Sequence, residues 1–271
     1  MNFLTRQYLT STGMKAHHAS LNIANLKTSH IQHHQKSLSP YWPDVLMLVS
    51  LESSKFKTAI ITKRDGIILT NSSTNSLITN LVERHSYGSP YTKEHFANFS
   101  GICEYVPYAF GNLSLAPLKV TNGTRNASWI QTGLIEYHTF DHHQSNDTII
   151  FFKDVNHPIT VPYSHDFISR RMEDVDRVHQ VIAAMYQQFL NVYCPTYSNY
   201  DDTVSQANKR IVLPFKQFVA IQEYQNICKT TGTPVTESDE RKWCLEHIHY
   251  YDKSKKNLKL EFPLRYHVNA Y

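Results

Sequence analysis

Between Val45 and Val161 the apolar residues come in short runs broken by polar turns, which is the pattern of strands. Val45–Leu51 is one run of strand length. Phe56–Thr62 and Ile67–Thr70 flank Lys63-Arg64-Asp65-Gly66, and Asp-Gly between β-branched runs predicts a hairpin. Ile102–Tyr108 is a further candidate strand. Leu113–Val120 and Ala127–Ile135 then flank a polar reversal at Thr121–Asn126, where Asn122-Gly123 tolerates positive φ at both central turn positions. Thr148–Phe152 and His157–Val161 make a second hairpin-like unit around Lys153-Asp154-Val155-Asn156. Strand following strand through turns implies an antiparallel sheet without βαβ crossovers.

The periodicity changes on either side of these runs. Leu77, Ile78, Leu81 and Val82 fit one face of a helix over Leu77–Arg84. From Ser164, read as an N-cap, Phe167, Ile168, Met172, Val175, Val178, Ile182, Met185 and Phe189 recur at helical spacing. They predict a long helix to Val192 that packs its apolar face on the sheet. Tyr193–Asn208 reads as a linker. Pro214 suits the first turn of a helix through Cys228, and Thr236 caps a third that runs to about Tyr250. Residues 1–40 are polar and His-rich, with sparse apolar positions, and Pro40-Tyr41-Trp42-Pro43 stops them. The expectation is an α+β protein in three parts. They are a loosely docked N-terminal arm (1–40), a sheet ending in a long helix (41–193), and a smaller helical region with a basic tail (194–271).

Composition narrows the function only a little. With 27 basic and 23 acidic side chains the formal charge is +4, which permits a polyanionic partner without demanding one. Cys103, Cys194, Cys228 and Cys244 are far apart and carry neither C-x-x-C nor zinc spacing, which suits reduced thiols. The N-terminus has no apolar core of signal-peptide length and no run approaches a membrane span, so a soluble cytoplasmic protein is expected. The Asn-x-Ser/Thr triplets at Asn98, Asn112, Asn122, Asn126 and Asn146 are then chance matches in an Asn/Ser/Thr-rich chain.

The chain holds neither phosphate-cradling glycine motif, no G-x-S-x-G elbow and no H-E-x-x-H. His138-Thr139-Phe140-Asp141-His142-His143 invites a metal-dependent phosphoesterase, since His and Asp form a natural ligand set. That chemistry needs earlier acidic ligands, and no Asp-x-Asp precedes the run, so it reads as a polar loop between strands. Neither enzyme activity, a cofactor nor a metal is expected. In the Thr121–Asn126 turn, Arg, Asn and Thr are side chains that read phosphates and base edges, although solvated loops use them too.

Taken in order, these features resemble the ComK family of competence transcription factors of Gram-positive bacteria. The likeness runs from about Thr62 to Phe189, roughly half the chain. A charged hairpin turn and strand (Lys63-Arg64-Asp65-Gly66-Ile67-Ile68-Leu69) comes first, followed by Tyr87-Gly88-Ser89-Pro90-Tyr91, which is similar to a Tyr/Phe-Gly-x-Ser-Tyr element. Val106-Pro107, Pro117 and Trp129-Ile130 come next. Phe152-Lys153-Asp154 through Val161-Pro162-Tyr163-Ser164, then Phe167, close the match. Two departures stand out: Thr92-Lys93-Glu94 replaces a Gly-Arg pair, and no Gly follows Asp154.

The resemblance implies a transcriptional activator of DNA-uptake genes that binds AT-rich double-stranded DNA chiefly through the minor groove. It also implies a homo-oligomer and control through an adaptor of a regulatory protease. Minor-groove readers use Arg, Lys, Asn and Gln. Lys119, Asn122, Arg125, Asn126, Arg170 and Arg171 are therefore the candidate DNA contacts. The turn residues Asn122, Arg125 and Asn126 are placed by their clustering beside Trp129 and not by the family pattern, while Arg170 and Arg171 lie off the apolar face of the long helix, where a solvated charged face is the default. Two alternatives stay open: the phosphoesterase with His138, Asp141, His142 and His143, and a protein-interaction module that binds no nucleic acid.

Overall fold

The computed structural model describes residues 8–33, 40–84, 92–120, 126–140, 147–193 and 202–249. It is an α+β protein. The chain divides into two compact units, Met1–His179 and Gln180–Tyr271.

The described residues of the first unit form two sheets where the sequence pattern suggested one. Six strands are ordered β4-β3-β2-β7-β6-β5. They are β2 (Val45–Ser50), β3 (Thr58–Thr62), β4 (Gly66–Thr70), β5 (Tyr108–Phe110), β6 (Leu113–Pro117) and β7 (Trp129–Gln131), all antiparallel to their neighbours. Every residue of β2, β3 and β4 is buried, so both faces of this part of the sheet are covered. The second sheet is ordered β1-β10-β9-β8, from β1 (Leu21–Asn22), β8 (Ile135–Phe140), β9 (Thr148–Phe152) and β10 (Ile159–Val161). Here β1 and β10 run parallel, which the reasoning from consecutive turns does not anticipate.

The predicted Asp-Gly hairpin forms with Ile60 opposite Ile68. Gly66 closes it at φ 70°, and a Cβ there would lie 2.4 Å from the Tyr8 ring. Glycine is thus required twice, for its left-handed backbone and for the aromatic packed on it. Helix α2 (Thr74–Arg84) follows with Leu77, Ile78 and Leu81 buried, as its spacing predicts.

Several expectations are corrected. Ile102–Tyr108 is not a strand: only Tyr108 enters β5, and a short helix α3 (Lys93–Phe99) precedes it. The helix buries only Phe96 and Ala97, too brief a pattern to announce itself. His138, Thr139 and Phe140 lie in β8, paired with Ile150, Ile149 and Thr148, and not in a loop. Strand pairing overrides local polarity there because the residues face a half-exposed surface. The Ser86–Tyr91 turn falls outside the described residues.

The N-terminal segment is no loose arm. Leu9, Leu21, Ile23, Leu26 and Ile31 are each buried, few in number but all of them used. Helix α1 (Ser11–Ala16) is capped by the Thr10 hydroxyl, which accepts from the Gly13 N–H at 3.2 Å. Gly13 sits so close to the chain near His30 that a Cβ would come within 2.4 Å of the His30 carbonyl. Leu21 N–H donates to the Pro158 carbonyl and Ile23 N–H to that of Thr160, both at 3.0 Å, tying the segment to β10.

Helix α4 (His165–Tyr193) starts as its signal predicts, with Ser164 Oγ accepting from Phe167 N–H at 3.3 Å and Ile168, Val175 and Val178 buried. The boundary between the two units lies within it. In the second unit α5 (Asp202–Thr231) packs on α6 (Glu237–His249), with Phe215, Val219 and Cys244 buried. Pro214 lies inside α5, not in its first turn, so the predicted linker is helical from Asp202. The missing proline N–H leaves the Arg210 carbonyl without its helical donor, and the helix continues nonetheless. Thr236 caps α6, accepting from Asp239 N–H at 3.2 Å.

A buried histidine pair joins the N-terminal segment to itself. His17 Nε2 and His30 Nδ1 are 3.0 Å apart, and one of them donates. Burial, then the nearby His30 and His157, push His17 down from 6.5 to about 4, and burial lowers His30 and His157 as well. The folded state therefore prefers neutral imidazoles. The contribution of His17 to stability is fully present above pH 6.5 and is lost as pH falls from 6.5 through about 4. For His17 alone the loss is on the order of 3 kcal/mol. Melting temperatures should be flat above pH 7 and drop across that window. His17→Leu should flatten the drop while lowering the plateau; an unchanged acid limb in the variant would refute the assignment.

Candidate nucleic-acid interface

Strand polarity brings several chain ends to one place. Because β7 is antiparallel to both β2 and β6, those two strands end where β7 begins. Because β1 and β10 are parallel, they also end together. Between these ends lies a cleft of about 910 Å³, with Lys27, Glu52, Lys119, Val120, Ser128 and Tyr163 among its lining residues.

The polar turn springs from the rim of this cleft, and its root is pinned. Ser50 N–H donates to Ser128 Oγ at 3.0 Å, Leu118 N–H to the Ser128 carbonyl at 2.8 Å, and Thr74 Oγ1 to the Ala127 carbonyl at 2.7 Å. Ser128 and Thr74 are buried, so these bonds form away from water, where breaking them costs most. Lys119 is exposed and Asn126 half-buried, one on each arm of the root. Asn122 and Arg125 lie outside the described residues.

A second cluster is built on Phe167, in the first turn of α4. Tyr105 meets its ring edge-on at 6.0 Å and Tyr163 lies tilted at 5.4 Å. Lys119 Nζ stands 5.1 Å from the ring centroid, and the Arg171 guanidinium 5.3 Å from it and 5.1 Å from that of Tyr105. The Tyr163 hydroxyl donates to the Lys119 carbonyl at 2.8 Å. Burial, then nearby Tyr105, push this phenol up to about 12, so it keeps its proton and stays a donor. The structure thus brings Lys119 and Arg171 onto one aromatic ring.

Their roles differ. The Arg171 side chain is only 13% exposed, and its Nη2 lies 2.6 Å from Asp174 Oδ2. Asp174 also binds Arg177, whose Nη1 donates to the Ser100 carbonyl at 3.1 Å. Arg171 is therefore spent inside the fold, stacked on two rings and neutralised by a buried carboxylate. Arg170, its neighbour, is exposed. Among the described residues no carboxylate lies within ion-pair distance of Lys27, Lys119 or Arg170. Sequence reasoning missed Lys27 because it treated the first forty residues as peripheral. No local signal marks it, since only the pairing of β1 with β10 carries it to the cleft.

Trp129, beside the turn root, is a core residue, 6% exposed, with Lys93 Nζ 5.9 Å from its ring. Of the phosphoesterase set only His138 is described; Asp141, His142 and His143 lie outside the described residues. Burial and nearby His165, whose ring is 4.3 Å away, lower its pKa. Among the described residues no group of three or more His, Cys, Asp or Glu gathers where it could hold a metal. Nor, among them, is any helix long and apolar enough to cross a membrane.

No family model, curated protein or solved structure matches the chain.

The Arg171–Asp174–Arg177 network makes a stability prediction. Asp174→Ala leaves Arg171 charged, buried and uncompensated, and should cost about 3 kcal/mol in chemical denaturation. Asp176→Ala, on the exposed side of the same helix, should stay within about 0.5 kcal/mol. Equal small effects from both would show that the buried ion pair contributes nothing to the fold.

Proposed function

We propose that this chain is a DNA-binding transcriptional activator of the ComK type, recognising AT-rich duplex chiefly through the minor groove. The observation that carries the reading is the pinned root of the polar turn. Lys119, an exposed lysine without a carboxylate partner, and Asn126 sit on its two arms above a rigid, buried hairpin. Side chains of this kind, projected from a firm support, suit phosphate contacts and the shallow code of the minor groove. Arg170 adds an exposed cation near the Phe167 cluster. Arg171 supports the site by packing and leaves the set of direct contacts. The homo-oligomer, the protease adaptor and the competence genes as targets enter this proposal on the resemblance alone, and the cytoplasmic location on the sequence pattern.

A second reading, a protein-interaction module, draws on β8. This edge strand of its sheet leaves Tyr137 53% and Phe140 55% exposed, an aromatic edge of the kind a partner strand or surface can cover.

Fluorescence anisotropy with AT-rich and GC-rich duplexes of equal length, over a series of salt concentrations, separates the two. DNA binding predicts tighter AT-rich binding, with log K falling linearly in log salt. Lys119→Gln should weaken binding and reduce that slope by about 1. Weak, equal binding to both duplexes would sink the activator and favour the protein-interaction module.

A further inference from the structure

We propose that the cleft between the strand ends is itself part of the interface, a groove for one sugar–phosphate strand of the duplex. In it Lys27 contacts phosphate from the N-terminal segment and Lys119 from the end of β6. This rests on the DNA-binding reading and extends it to a segment that carries none of the residues assigned above to DNA.

The two lysines reach the cleft on separate pieces of chain, and both are exposed and without a carboxylate partner among the described residues. Cations that line an open cleft from different segments suit an extended polyanion that runs past both of them. Thr28 and Ser29 follow Lys27 along the same wall and add neutral hydroxyls of the kind used on phosphate oxygens. Among the described residues Glu52 is the lone carboxylate in the lining. It opposes the two lysines and sets a penalty for any anion that enters.

Lys27 is held in place before any ligand arrives. Leu26 and Ile31 on either side of its turn are buried, and His30 N–H donates to the Lys27 carbonyl at 3.0 Å. Lys27 N–H in turn approaches His30 Nδ1 at 3.4 Å. A cation on a prepaid backbone loses little freedom on binding. Lys119, Val120 and Ser128, from the two arms of the hairpin root, line the same cleft, so a strand seated in it would also run past that root.

The test compares the full-length protein with Lys27→Gln and Glu52→Gln, using anisotropy on the AT-rich duplex across salt concentrations. Melting temperatures serve to verify folding. Lys27→Gln should weaken binding about tenfold at low salt and reduce the log–log slope by about 1. Glu52→Gln should tighten binding by about threefold, because the opposing charge is gone. Opposite signs from two residues in one cleft would be hard to obtain from general destabilisation. If the parent protein binds the duplex and neither variant changes affinity or slope, the groove is wrong and the DNA-binding reading stands. If the parent protein binds no duplex, the groove falls together with that reading. A third arm uses inorganic phosphate at matched ionic strength. A melting-temperature increase that depends on Lys27 would make the cleft a small-anion site and overturn the groove.

Discussion

The fold depends on β2 being buried on both faces. Val45 to Ser50 lies between β3 and β7, and every one of its residues is covered. Its amides and carbonyls must then be satisfied by neighbouring strands, since no water reaches them. That requirement places β7 beside β2 although the two are far apart in sequence, and β7 in turn places β6. The shared end of β2 and β6 follows from this alternation, as does the buried serine that pins the root of the polar turn. The cleft is thus a by-product of strand direction.

Charge is handled differently in two neighbouring places. At the first turns of α4, Arg171 is taken out of water, and its charge is offset by Asp174 and by the faces of two aromatic rings. Such a group stiffens a surface and has little left for a ligand. Lys119 sets its ammonium 5.1 Å from the centroid of the same Phe167 ring, yet the residue is exposed and has no carboxylate partner among the described residues. Two cations adjacent in space therefore divide the work, one as support and one as contact. From sequence both looked like members of one basic set, because burial and the Asp174 carboxylate only appear once α4 is wound.

Elements whose signal is local were legible. The Asp-Gly hairpin, the Ser164 cap with its apolar face, and the Thr236 cap all stand where their residues predict. Elements decided by distant partners were not. The two-residue strand β1 has no pattern of its own and exists only because β10 is beside it. His138–Phe140 looks like a loop until β9 pairs with it. Pro214 has a local meaning, a helix start, that packing of α5 on α6 overrides. The candidate site divides in the same way. Lys119 and Asn126 were found from the turn between two apolar runs, whereas Lys27 belongs to the cleft through a long-range parallel pairing that no periodicity encodes.

That pairing has a consequence for the order of events during synthesis. Leu21 and Ile23 bond to the chain at Pro158 and Thr160, so this stretch emerges from the ribosome long before its partner strand exists, whereas Tyr8 and His33 meet the β3–β4 hairpin, which is made early. The intervening six-stranded sheet is complete in sequence by β7, ahead of β10, and can form first. The pairing of β1 with β10 can then form only late, although β1 is made first. Until then the histidine pair lacks the surroundings that keep it neutral, and the wall that carries Lys27 is missing. A chain interrupted before β10 could hold a folded sheet and still have no cleft.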